Sequence, residues 1–126
     1  MKLRDILREL DMPKDVYEYY MSSNRLDEDV SLPDPIELDN LVRFLKCISN
    51  PIRLSILMLL SKPHCVCILT KLLNQDKTLI SHHLAKLREC GLVSETPLAR
   101  ARIYRRNDDK LKKMFGKLLS LLETMS

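Results

Sequence analysis

Glycine is almost missing from this chain. Gly91 and Gly116 are the only two in 126 residues, too few for a loop that wraps a phosphate with closely spaced backbone N–H groups. Histidine is nearly as scarce: His64, His82 and His83 offer no nucleophile, base and orienting group in an arrangement that catalysis could use. Both shortages argue against an enzyme. No apolar run approaches the ~20 residues that cross a bilayer. The opening MKLRDILREL is charged throughout and lacks the continuous apolar segment of a secretory signal. Cytoplasmic residence away from membranes is therefore expected, and in that compartment the four cysteines are expected as thiols. Internal repeats and low-complexity tracts are also missing.

What is present suits a small globular domain. At 126 residues and 45% apolar composition, the chain can bury a core without covalent staples. The net charge of +4 conceals a strong asymmetry. Residues 1–40 carry 5 basic and 11 acidic groups. Residues 41–70 carry 4 basic and no acidic groups, and residues 71–117 carry 12 basic and 5 acidic. A basic surface confined to one part of a chain is the electrostatic footprint of a polyanionic partner, although a merely solvated lysine-rich face has the same composition.

The helical periodicity is organised around Thr78 to Val93, TLISHHLAKLRECGLV. Ile80, Leu84 and Leu87 recur at helical spacing with His83 beside them, forming one inward stripe. Lys77, Thr78, Ser81, His82 and Lys86 fall on the other face. Asp76 can cap the first turn, and Gly91 supplies a left-handed stop. Hydroxyl, imidazole and amine groups on an anchored helix are what reading of base edges requires. Upstream, Cys67 to Asn74 forms another short apolar-striped helix joined to the first by a polar turn over residues 74–77, which is helix-turn-helix spacing. Downstream, Leu92 to Pro97 and Ile103 to Arg106 read as two strands around LARAR, a hairpin whose tip carries Arg100 and Arg102. The expected fold is mainly α with a two-stranded β-wing, a winged helix-turn-helix.

The rest of the chain surrounds this unit. Residues 2–10 place Leu3, Ile6, Leu7 and Leu10 on one helical face. A second short helix after Met12 has Pro13 at its first turn and Val16, Tyr17 and Tyr20 as its apolar side. Such short helices must dock on something. SSNRLDEDVSLPDP, from Ser22 to Pro35, is acidic and aperiodic and reads as a linker. Residues 1–35 are thus a helical extension with an acidic linker, and residues 36–126 the winged helix-turn-helix domain. Ile36 to Ile48 restores a helix with Leu38, Leu41, Val42, Leu45 and Ile48 inward. Asn50 caps the next, with Pro51 at its first position and Ile52, Ile56, Leu57, Leu59 and Leu60 following, and Lys62 and Pro63 end it. Asn107, Asp108 and Asp109 then cap the longest helix, striped by Leu111, Met114, Phe115, Leu118, Leu122 and Met125 and widened by Leu119 and Leu121.

From about Ile36 onward, this order of elements resembles the ArsR/SmtB family of winged-helix repressors, through NPIRLSILMLL, CVC and SHHLAKLRECGLV. The resemblance implies a homodimer built on the first and last helices of the core, with Leu111, Met114, Phe115, Leu118 and Leu122 at its interface. It also implies binding to a palindromic operator in double-stranded DNA and release when an effector binds. Carried over by residue, Lys77, Thr78, Ser81 and His82 would read the DNA, Lys86 would lie nearer the backbone, and Arg100 and Arg102 would belong to the wing. His83 matches a histidine that the family places under the reading helix, a buried structural role. No cofactor is obligatory. The competing reading is a winged helix used as a protein-interaction module, its basic face turned to an acidic partner.

Cys65 and Cys67 occupy the position of the family's thiolate sensor for soft metals and arsenite, and thiolates select such ions. Residues two apart on a helix diverge, so both can chelate only if Cys65 precedes the first turn. The similar arsenic sensors carry a third cysteine where this chain has Thr70. A three-ligand site therefore needs His64 or Cys47, or sharing between subunits. Otherwise the pair are small core residues. Cys47 and Cys90 sit beside apolar neighbours and read as packing.

Overall fold

The computed structural model describes residues 1–124, leaving the expected stripe residue Met125 outside the described part. The elements run α1 (Leu3–Glu9), α2 (Lys14–Ser22), α3 (Pro35–Ile48), α4 (Pro51–Leu59), β1 (His64–Cys65), α5 (Val66–Leu73), α6 (Lys77–Glu89), β2 (Val93–Leu98), β3 (Ala101–Arg106) and α7 (Asp108–Thr124). Mainly helical with an antiparallel β-hairpin wing, this is the winged helix-turn-helix architecture.

Local chemistry explains the helix boundaries. Asp34 accepts from Ile36 N, and Asn50 Oδ1 accepts from Ile52 N and Arg53 N at 2.9 and 3.1 Å, each followed by proline at the first helical position. Asn74 closes α5 in the left-handed conformation, and Asp76 Oδ1 caps α6 by accepting from Thr78 N at 2.8 Å. The end of α6 is a Schellman turn. Leu92 N donates to Leu87 O and Gly91 N to Arg88 O, both at 2.9 Å, while Leu87 and Leu92 are fully buried. Gly91 sits at φ +73°, a conformation that strains residues with a Cβ, so glycine is favoured here.

Ile56, Leu69, Ile80, Leu84, Leu87 and Leu92 form the dry centre of the core, closed by Phe44, Leu57, Leu60, Val93 and Tyr104. Burying six such side chains contributes roughly 1.5–3 kcal/mol each before conformational entropy is charged against it. The core ties α3, α4, α5, α6 and the sheet into one body, and on that body α6 presents its free face.

Besides Leu10, exposed beyond the end of α1, and Arg102, which lies within β3 opposite Pro97 and not at the wing tip, the structure departs from the sequence reading in five places. The wing is joined by a third strand, giving the order β1-β3-β2, with His64 opposite Tyr104 and Cys65 opposite Ile103. A two-residue edge strand has no periodicity to read. Second, α3 buries Leu41, Phe44 and Cys47, whereas the expected Leu38 and Val42 are exposed. The helix is apolar on more than one face, and Phe44 turns to stack edge-on against Phe115 of α7 at 5.1 Å. Third, α2 buries none of its residues: Val16 and Tyr17 are exposed and Tyr20 half-buried. Fourth, the acidic stretch folds back on α1, since Leu3 N donates to Glu28 O, Arg4 N to Leu26 O and Val30 N to Met1 O at 2.9, 3.0 and 2.8 Å. Fifth, the cysteines are disulfides and not thiols. Cys47 bonds Cys90 and Cys65 bonds Cys67. Cα separations of 6.6 and 5.5 Å fall within the reach of a disulfide, a proximity that arguments from compartment cannot foresee.

Candidate nucleic-acid interface

On α6, Lys77, Ser81, Ala85 and Arg88 line a groove of about 560 Å³. Arg100, Ala101 and Arg102 of the wing line it too, together with Cys65, Cys67 and Thr70 from the start of α5. Four of the seven candidate DNA contacts, Lys77, Ser81, Arg100 and Arg102, therefore share one groove between the second helix of the helix-turn-helix and the hairpin. Thr78, His82 and Lys86 are exposed on α6 but lie outside the groove lining, one position around the helix. The wing tip turns at Ala99, a non-glycine residue at φ 54°, within a two-residue loop that holds Arg100 exposed at the end of the hairpin.

Two groove residues escaped the sequence reading. Arg88 continues the row Lys77, Ser81, Ala85 by a further helical turn, a spacing that could have revealed it. Glu95 could not have been found from sequence, because its role depends on the strand pairing. Its Oε1 accepts from Arg88 Nη1 at 2.6 Å and from Arg102 Nη1 at 2.8 Å. The Tyr104 hydroxyl, directly across the ladder, is the largest influence holding the Glu95 carboxyl below the ordinary carboxylate value, followed by Arg102 and then Arg88. Glu95 Oε2 is buried and has no hydrogen-bond partner among the described residues. Arg102 is thus held against the sheet, while Lys77 and Arg100 make no ion pair among the described residues.

His83 lies under α6, only 7% exposed. Arg53 Nη1 approaches its Nδ1 at 3.2 Å, while Arg53 Nε donates to Cys47 O at 2.6 Å. The arginine therefore joins the end of α3 to the reading helix, and Nδ1 serves as acceptor. Burial pushes the imidazole below its ordinary value of 6.5, and the charges of Arg53 and His82 push it the same way. With the folded value lowered, stability is complete above about pH 6.5 and falls as the pH drops below it, levelling off once the folded group is protonated. Urea midpoints of wild type and His83→Gln are expected to diverge across that window, with wild type the more pH-dependent. Parallel curves would mean that His83 does not titrate on unfolding.

The cysteine geometry has two parts. Cys65 is the extended residue before α5, at φ −83° and ψ 166°, and Cys67 lies within the first turn, so the two sulfurs converge as the spacing argument requires. The third ligand is not brought to them. Cys47 is bonded to Cys90, His64 lies on β1 outside the groove lining, and Thr70 donates to Cys67 O at 2.9 Å. Among the described residues, no group of three or more His, Cys, Asp or Glu side chains is placed to hold a metal ion.

On α7, Leu111, Met114 and Leu118 are half-buried, whereas Phe115 and Leu122 are 41% and 60% exposed. No described residue of this helix is fully buried. No helix among the described residues is long and apolar enough to cross a membrane.

Residues 50–95 match the model for bacterial regulatory proteins of the arsR family. The fold is similar to HlyU from Vibrio cholerae N16961, with 32% identity, 70% of this chain and 97% of that one covered, and a TM-score of 0.59. NolR from Sinorhizobium fredii is 29% identical over 73% of this chain and 96% of its own, TM-score 0.59. An ArsR-like transcriptional regulator from Rhodococcus sp. RHA1 is 25% identical over 69% and 83%, TM-score 0.63. No curated protein matches the chain in sequence.

Proposed function

Because the chain belongs to the arsR family of bacterial regulatory proteins, we propose that it is a repressor that binds operator DNA as a homodimer. Residues 36–126 do the work, in the cytoplasm where the DNA is, and residues 1–35 are an appended extension. The observation that carries this reading is the groove in which Lys77, Ser81, Arg88, Arg100 and Arg102 converge. An exposed helix enters the major groove, with Thr78, Ser81 and His82 offered to base edges, while Lys77, Lys86 and the wing arginines neutralise phosphates.

Duplex affinity should then fall steeply with salt, because bound phosphates return their counterions to solution. Arg100→Ala is expected to weaken operator and random duplex alike and to reduce the salt slope by about one. Ser81→Ala or His82→Ala should cost roughly 1–3 kcal/mol, mainly on the operator. Fluorescence anisotropy across a salt series separates these effects. Equal binding to all duplexes at every salt concentration, together with tight binding to an acidic protein, would favour an interaction module instead.

We assign release to Cys65 and Cys67, through a thiophilic metal or metalloid ion taken by the dithiol, or through oxidation to the disulfide. The supporting geometry is that both cysteines line the DNA-facing groove. A differential affinity of about 1–3 kcal/mol between the two states would change binding roughly 5–150-fold. Operator titrations with arsenite, cadmium, zinc and a disulfide oxidant, on wild type and on Cys65→Ser with Cys67→Ser, test it. An identical response from the double variant would remove these cysteines from the switch.

A further inference from the structure

The disulfide in the groove stands in an unusual setting. Cys67 is exposed and Cys65 half-buried, so an incoming sulfur can reach the bond from the groove. The groove lining carries Lys77, Arg88, Arg100 and Arg102 against a single carboxylate, Glu95. Lys77 and Arg100 remain without an ion pair among the described residues. At about 560 Å³, the groove has the size of a small-molecule cleft. Base reading has no need of a reactive sulfur–sulfur bond, and thiol chemistry has no need of four cations. Their coincidence in one cleft calls for a ligand that uses both.

We infer that the groove is a site for a small thiol carrying carboxylates, which enters through the cations and exchanges with the Cys65–Cys67 disulfide. This rests on the reading of Cys65 and Cys67 as the switch and supplies the reactant that resets it from the oxidised side: the mixed disulfide still blocks DNA, and a second thiol, attacking the ligand sulfur and expelling Cys67 as thiolate, restores the DNA-competent dithiol. The thiol loses its proton to water, and its thiolate attacks Cys67 Sγ, the more exposed sulfur. A new bond forms between the ligand sulfur and Cys67, the Cys65–Cys67 bond breaks, and the electron pair leaves on Cys65 as thiolate. The incoming thiol is the reductant, so no other electron donor is required. The departing thiolate sits at the cap of α5, where the helix N-terminus and neighbouring cations favour negative charge. The bound carboxylates then occupy the groove that phosphates would use, so ligand and DNA compete for the same cations.

The test follows the loss of the Cys65–Cys67 bond in the full oxidised chain, by acid quench and peptide mass, with mercaptosuccinate, 2-mercaptoethanol and cysteamine as anionic, neutral and cationic probes. Rates are compared per thiolate present. Mercaptosuccinate is expected to react about ten-fold faster than the neutral probe, and cysteamine slower, since a cleft of one sign concentrates the opposite ion by ten-fold or more. High salt and the surface variant Lys77→Ser with Arg100→Ser should erase the difference. Cys47–Cys90 provides the internal control: Cys47 is 8% exposed, and although Cys90 lines a second cleft with Arg43, Lys110, Lys113 and Lys117, the rates at that bond should not respond to Lys77→Ser with Arg100→Ser. Equal rates for the three probes, or an equal loss of charge preference at both disulfides in the variant, would overturn the site while leaving DNA binding untouched. A preference confined to Cys65–Cys67 that survives both high salt and the variant would also overturn it. A preference that behaves as expected while duplex affinity fails to recover once both cysteines are free would keep the site and remove its part in the switch.

Discussion

Replacing Cys47 and Cys90 with alanine is expected to lower unfolding stability by about 4 kcal/mol, the chain-entropy value for a cross-link of this span. The bond closes a loop with a sequence separation of 43, whereas Cys65 and Cys67 are separated by 2. An unfolded chain tied across 43 residues loses much of its freedom, whereas the same relation gives only about 1 kcal/mol for one tied across two. Urea melts with and without reductant should therefore show a large loss of midpoint that Cys65→Ala with Cys67→Ala does not reproduce. Identical midpoints in oxidant and reductant would show that the Cys47–Cys90 bond contributes nothing to folding. The bond also fixes where α6 ends relative to α3, near the Arg53 bridge to His83, so reduction should loosen the reading helix before it unfolds the domain.

Leu122→Asp is expected to convert a dimer into a monomer, raising the dimer dissociation constant on the order of 100-fold or more. Removing a carboxylate from water without a partner costs several kcal/mol. The prediction comes from α7, whose Phe115, Leu119 and Leu122 are 41%, 58% and 60% exposed, more apolar surface than one chain covers. Ile36, Leu38 and Val42 on α3 are also exposed, and α3 meets α7 through Phe44 and Phe115. Both helices thus offer apolar surface to a two-fold partner, whose half-sites would lie about one DNA turn apart. Sedimentation equilibrium of wild type and variant decides it. A wild type that is monomeric at high micromolar concentration would refute the assignment. A variant that stays monomeric, keeps its melting midpoint and loses operator binding would place Leu122 between the subunits and not in the core.

The core helices were legible because their determinants are local. Asn50 before Pro51, Asp76 before the reading helix and Gly91 after it all cap as their chemistry dictates, and Ile80, Leu84 and Leu87 are buried as their spacing requires. The groove was only half legible. Lys77, Ser81, Arg100 and Arg102 could be named from periodicity, the hairpin and family resemblance. Glu95, which holds Arg102, became visible only through cross-strand pairing. Leu38 and Val42 misled because α3 is apolar around much of its circumference, and a stripe cannot say which of two apolar faces meets the core and which a partner. The Cys47–Cys90 pairing was illegible for the same reason as β1. Each depends on segments distant in sequence, Cys47 with Cys90 and Cys65 with Ile103, which only the folded chain brings together.

The small strand β1 carries a mechanical consequence. Cys65 lies in antiparallel register with Ile103, the residue after Arg102, so the sulfur-bearing residue and the wing belong to one backbone ladder. A ladder of two residues has little cooperativity of its own and should open as a unit. Amide protons of α5's first turn and of β3 near Ile103 are therefore expected to exchange with solvent at matched rates, and to speed up together when Cys65 is freed. The wing would then act less as a passive arm than as the far end of a short lever whose near end is a covalent bond.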